Sequence, residues 1–166
     1  MRRAIKRGLA AVLCAVLLLP LIGCKEESPL DGWFRVPLSA EPKQLDPQVC
    51  RDEASQTVVL SLFEGLTRLD ENGTPCVGAA ERWSVAGKVW TFTLRDSFWS
   101  DGKPLTAQDF VYGFRRAADP ATGSPLADQL LWIEGAKAVI SGQKKPETLG
   151  VTAKDDKTVE IRLASA

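Results

Sequence analysis

From Trp90 to Pro120 the chain reads WTFTLRDSFWSDGKPLTAQDFVYGFRRAADP, a strand, a turn and a capped helix in unbroken order, and no other stretch constrains the fold as much. Trp90, Phe92 and Leu94 alternate with Thr91, Thr93 and Arg95, so a strand here has one apolar and one polar face. Ser100-Asp101-Gly102 turns the chain, with the Asp101 side chain stabilising the turn rather than holding a cation or ligand. Thr106 and Asp109 have the three-residue spacing of a capping box, in which hydroxyl and carboxylate each satisfy a free backbone N–H, so a helix is expected from Ala107. Phe110, Val111, Phe114, Ala117 and Ala118 recur along it at helical spacing. Arg115 and Arg116 complement the negative end of its dipole, which makes helix-end charge the default reading for them, and Asp119-Pro120 ends it.

The first 23 residues are not fold material. Arg2, Arg3, Lys6 and Arg7 precede an apolar stretch from Leu9 to Ile22, too short for a membrane-spanning helix, and a small residue precedes Cys24. This is the pattern of an export signal over 1–23. Leu21-Ile22-Gly23-Cys24 resembles the lipobox of bacterial lipoproteins, which implies lipidation of Cys24 and attachment to a membrane at the periplasmic or extracellular face. Firm attachment needs more than one acyl chain; the diacylglyceryl group implied by the resemblance supplies it. Residues 24–32 are polar and read as a tether.

The leader takes four of the 21 basic residues and none of the 21 acidic ones, leaving a net charge of −4 and no polybasic surface, so nucleic acid is not expected as a partner. With no histidine in the chain, Ser-His-Asp and Cys-His catalysis are excluded. Cys14 leaves with the signal and Cys24 is taken by lipid, so Cys50 and Cys76 remain, too few for a four-cysteine zinc site. Whether these two are bridged is open, because spacing does not show how close their Cα atoms come. No metal, cofactor or catalytic residue is expected.

Along the rest of the chain, Trp33 to Leu38 reads as a weak strand that Pro37 confines to an edge. Ala54 to Glu64 reads as a helix packed on a sheet, with Val58, Val59, Leu62 and Phe63 on one face and Gly65 as a left-handed cap. Leu66 to Leu69 is strand-like before the turn Glu71-Asn72-Gly73, and Trp83 to Val85 with Val89 to Arg95 suggests a hairpin across Ala86-Gly87-Lys88. Leu126 to Ile133 and Glu134 to Ile140 suggest one or two short helices ended by Gly142. A final hairpin joins Val151–Ala153 to Thr158–Leu163, with Val159, Ile161 and Leu163 inward. Trp83, Trp90 and Trp99 are assigned to the core rather than to a ligand-stacking platform. Glu64, an acid at a helix end, calls for a partner such as Arg68 or Arg95.

Pro42 with Leu45-Asp46-Pro47, Leu62 to Leu66, Ala80 to Trp83, Trp90 to Pro120, and Leu149-Gly150-Val151 with Asp155 to Thr158 stand in an order and spacing that resemble the extracytoplasmic solute-binding proteins of family 5, the oligopeptide receptors of bacterial ABC importers. The resemblance covers about residues 33 to 163. It implies an α+β fold, the N-terminal portion of a two-lobed periplasmic-binding-protein type II architecture: residues 33–63 would start the first lobe, 64–166 would form most of the additional domain of this family, and the second lobe is expected to be absent from these 166 residues. It further implies a peptide ligand held through its own backbone and delivered to permease subunits. Ligand contacts carried over by the resemblance fall at Arg51, Asp52 and Glu53, and after Ser124-Pro125, where peptide receptors commonly place a tyrosine and this chain has Leu126. Leucine offers no hydroxyl, so dipeptide, nickel-chelate and sugar ligands stay open, as does a stand-alone structural lipoprotein. Ser141-Gly142-Gln143-Lys144 matches the Ser-x-x-Lys of serine acyltransferases, but it falls at a helix end and lacks the companion Ser-Asp-Asn and Lys-Thr-Gly elements, so a binding protein is preferred to an enzyme.

Overall fold

A computed structural model describes residues 35–165. The chain divides into a unit ending at Pro37 and a second unit from Leu38 to Ala166. In the first, only 35–37 are described, and they take no regular structure. The strand expected over Trp33 to Leu38 is therefore not formed at 35–38: Pro37 has no N–H to give a ladder, and Val36 and Leu38 stay exposed. Trp33, the export signal, Cys24 and the 24–32 tether lie outside the described residues. Among the described residues no helix is long and apolar enough to cross a membrane.

The second unit is built on a four-stranded antiparallel sheet. In chain order its strands are preceded by helix α1 (Glu53–Leu62) and a small hairpin of β1 (Thr67–Leu69) and β2 (Pro75–Val77). The sheet consists of β3 (Ala80–Ala86), β4 (Val89–Leu94), β5 (Val151–Asp155) and β6 (Thr158–Arg162), arranged β3-β4-β6-β5. Between β4 and β5 the chain forms α2 (Ala107–Ala118) and the short α3 (Ala136–Ile140). The architecture is α+β.

Register follows from the alternation. Phe92 pairs with Val159, Trp90 with Ile161 and Val151 with Ile161, which gathers these apolar side chains on one face. Phe92, Leu94, Val151, Val159 and Ile161 are all buried there, together with Val111 of α2 and Val139 of α3. Thr91, Glu160 and Thr152 line up across the opposite, polar face. Trp83 and Trp90 flank Phe92 with ring centroids 6.5 and 6.3 Å away, so both belong to the core layer as expected. Trp99 does not: it is 43% exposed on the loop after β4. There Asp101 accepts from the Lys103 N–H at 3.0 Å and pairs with the Lys103 ammonium at 2.8 Å, the turn-stabilising role read from the sequence.

Helix α2 starts and stops where expected. The Asp109 carboxylate accepts from the Thr106 N–H at 2.8 Å and the Thr106 hydroxyl at 2.9 Å, and Asp119 closes the helix. Val111, Ala107 and Ala118 are buried while Tyr112 faces solvent. The helical stretch expected over Leu126–Ile140 is shorter than read: a single 3-10 turn (Ala127–Leu130), then α3. Gly135 separates them at φ 80°, and a Cβ there would lie 2.9 Å from the Thr148 carbonyl, so the backbone departs from helix because this close approach requires it. Gly142, at φ 73°, ends α3 as anticipated.

Helix α1 departs most from its sequence reading. It begins at Glu53 and ends at Leu62; Phe63 leaves in extended conformation and Gly65 is not left-handed. Its buried residues are Ala54, Ser55 and Val59, whereas Leu62 is 65% and Phe63 43% exposed, so the expected apolar face is not packed on the sheet. Glu64 pairs with Arg95, one of the two partners proposed for it, and Arg95 also donates to the Gly78 carbonyl at 3.1 Å. Cys50 and Cys76 are both free thiols.

Candidate functional site

The segment before α1 is a knot of short-range hydrogen bonds. The Val49 and Cys50 N–H groups donate to the Asp46 carbonyl, and the Gln48 N–H donates to Asp46 Oδ1 at 3.0 Å, so Leu45-Asp46-Pro47 opens a tight turn. That turn delivers Arg51, Asp52 and Glu53 to the first turn of α1. Asp52 is the N-cap: its Oδ1 accepts from the Ser55 N–H at 2.9 Å, its Oδ2 from the Ser55 hydroxyl at 2.8 Å. These bonds, the backbone one foremost, hold the Asp52 carboxyl below its usual pKa. Both Asp52 oxygens already serve the helix, while Arg51 and Glu53 are exposed and directed by the same helix start. Ser55 is fully buried, and its oxygen also accepts from the Lys43 and Gln44 N–H groups at 3.0 and 3.1 Å.

Leu126 sits elsewhere. A 3-10 turn over Pro120–Thr122 and left-handed Gly123 reverse the chain, and the Leu126 N–H reaches the Ser124 hydroxyl at 3.4 Å. Its side chain is 47% exposed. The structure gathers Arg51, Asp52 and Glu53 at one helix start; among the described residues no hydrogen bond or ion pair joins Leu126 to them.

The acyltransferase motif gains no support in three dimensions, since Ser141 ends α3 with its hydroxyl donating to the Ala138 carbonyl at 3.2 Å. Among the described residues no three His, Cys, Asp or Glu side chains cluster as a metal site. A depression of about 90 Å³ on the polar sheet face is lined by Val89, Gly150, Thr152, Glu160 and Arg162. Ligand pockets run to roughly 300–1,000 Å³, and none of the candidate contacts lines it.

A family model for the bacterial extracellular solute-binding proteins, family 5 (middle part), matches residues 74–166, more than half of the chain. The chain belongs to this family. The match confirms the resemblance carried by the sequence blocks from Ala80 to Thr158, and the chain covers the N-terminal part of such proteins. Among curated relatives, the probable deoxycholate-binding periplasmic protein YgiS of Escherichia coli is 44% identical over 78% of this chain and 25% of its own length. The periplasmic murein peptide-binding protein MppA of Escherichia coli is 46% identical over 74% of the chain and 24% of its own length. The solved Haemophilus influenzae OppA complex with RPPGFSPFR superposes with a TM-score of 0.71 at 42% identity, over 75% of this chain and 25% of that one. The chain thus spans about a quarter of the length of these relatives, which are binding proteins.

Sequence reasoning missed the long-range partner of the Asp46 turn. Arg116, read as a helix-end charge, donates to Asp46 Oδ1 at 2.9 Å and to Gln48 Oε1 at 2.7 Å, and pairs with Asp46 Oδ2 as well. The Arg116 hydrogen bond holds the Asp46 carboxyl below its usual pKa, and Asp46 in turn raises that of Arg116. The only hint was that both residues lie in family-like blocks; local periodicity carries no information about a partner 70 positions away.

Proposed function

We propose that this chain forms part of a receptor that binds oligopeptides outside the cytoplasmic membrane and passes them to the permease of an ABC importer without chemical change. The likeness to peptide-binding relatives over three quarters of the chain, one of them solved with RPPGFSPFR, carries the reading. Within it, residues 33–63 start the first lobe and 64–166 belong to the additional domain. Arg51, Asp52, Glu53 and Leu126 face the ligand, and Cys24 bears the lipid that holds the protein at the periplasmic or extracellular face. An extended peptide gains affinity when its backbone groups are paired and desolvated between facing walls, whereas one exposed wall leaves them competing with water. Calorimetry of the complete gene product with a tripeptide-to-pentapeptide library therefore gives saturable binding with no peptide hydrolysis. Residues 24–166 alone bind weakly or not at all. Absence of binding by the complete gene product overturns the peptide reading, and submicromolar binding by residues 24–166 displaces the proposed site. Palmitate labelling that survives Cys24→Ala removes the anchor.

A second ligand class is favoured by one observation: Leu126 presents exposed apolar surface where a hydroxyl was expected, and one relative is named as probably deoxycholate-binding. A deoxycholate arm in the same titration separates the two. Preference for deoxycholate over every peptide replaces the ligand and keeps the receptor.

A further inference from the structure

The Arg116 tie continues beyond Asp46. The Asp46 N–H donates to Gln44 Oε1 at 3.0 Å, the Gln44 N–H to the Ser55 hydroxyl oxygen at 3.1 Å, and that hydroxyl to Asp52 Oδ2 at 2.8 Å. A parallel link runs from Gln48 Nε2 to the Gly113 carbonyl at 2.7 Å, so α2 holds the turn at two points one helical turn apart. An unbroken polar path therefore leads from the last turn of α2 to the cap of α1. Along it Ser55 is buried and Asp46, Asp52 and Arg116 are half-buried, as is Gln48 on the parallel link, while Gln44 is exposed. Apolar packing offers little alternative, since α1 buries only Ala54, Ser55 and Val59.

We infer that Arg116 is a positioning residue: by clamping the Asp46 turn to α2 it sets where Arg51, Asp52 and Glu53 stand, without itself touching a ligand. The clamp rests on the geometry; its relevance to binding rests on the proposed ligand wall. Arginine suits the role because its planar fork meets Asp46 with two N–H groups and Gln48 with one of the same, an arrangement that a lysine ammonium on a flexible stem does not reproduce.

Amide hydrogen exchange on the full chain tests the clamp. In Arg116→Ala, amides of Gln44, Gln48, Cys50, Ser55 and Gln56 exchange about tenfold faster or more, while those of Phe92, Val159 and Ile161 change little, because local opening is freed without loosening the sheet. Arg116→Lys falls between. If Arg116→Ala does not fold, Asp46→Asn, which keeps the shape and removes the charge, is expected to show the same selective pattern. Uniform acceleration across the sheet, or none over Gln44 to Gln56, overturns the inference. A peptide titration of the complete gene product is the separate check on the ligand wall: its failure removes that wall while leaving the exchange pattern to stand or fall on its own.

Discussion

Two regions of this chain are held together by different physics. The sheet with α2 and α3 closes on a dry core in which Val111, Val139, Val151 and Val159 are at most 1% exposed. The segment from Lys43 to Phe63 exposes most of its large apolar side chains, Leu60 at 80%, and depends on a polar path through Arg116, Asp46, Gln44, Ser55 and Asp52. Apolar burial is non-directional and survives small shifts; a hydrogen-bonded path stabilises one geometry and fails as soon as a member is removed. The first region is therefore expected to persist when the second opens.

Phe92→Ala strikes the middle of the sheet between Trp83 and Trp90, and should cost about 3–5 kcal/mol in urea unfolding, lowering protection everywhere. A loss confined to one region would break the claim that the sheet is the common core. Ser55→Ala comes next. It removes the acceptor of two N–H groups and the donor to the Asp52 cap, at about 1–3 kcal/mol, and the effect should appear as faster exchange at Lys43, Gln44 and α1 while the sheet keeps its protection.

Acid has a smaller effect with a defined sign. Because the folded-state pKa of Asp46 is depressed, its contribution is fully present above the ordinary carboxylate value near pH 4 and is lost as pH falls through the lower folded value. Wild-type protection over Gln44–Gln56 should drop in that window relative to Asp46→Asn, whose profile lacks this titration; parallel profiles would mean that the Arg116 pair contributes nothing. Asp52, Asp101 and Asp155 are depressed too, so the difference between the two proteins, not the wild-type curve, isolates Asp46. Smallest of all is Leu60→Ala. At an 80% exposed position it should change stability by no more than about 0.5 kcal/mol, and a larger loss would show that α1 is packed after all.

Local chemistry was legible in the residues wherever the signal was itself local. Thr106 and Asp109 marked the start of α2, the alternation through Trp90, Phe92 and Leu94 marked β4 and its buried face, and Gly142 marked the end of α3. The ordered blocks from Leu45 to Thr158 were enough to place the family. Of the candidate contacts, Arg51, Asp52 and Glu53 were read only as lying just before the helix expected from Ala54; that Asp52 caps it, and that their order rests on buried Ser55, no motif announced.

What tertiary structure alone decided were the relations between distant segments. The α1 pattern of Val58, Val59, Leu62 and Phe63 looked amphipathic, but periodicity states which residues share a face and not whether anything covers it, and here Leu62 and Phe63 stay exposed. Trp99 carried the same aromatic signal as Trp83 and Trp90, but those two lie on paired strands beside Phe92, whereas Trp99 lies on the loop after β4 and stays exposed. Arg116 showed the general reason most plainly. Next to Ala117 and Ala118 it is a charge at a helix end; opposite Asp46 and Gln48 it is a clamp, because a guanidinium acquires its role from the acceptors that folding brings within hydrogen-bond reach.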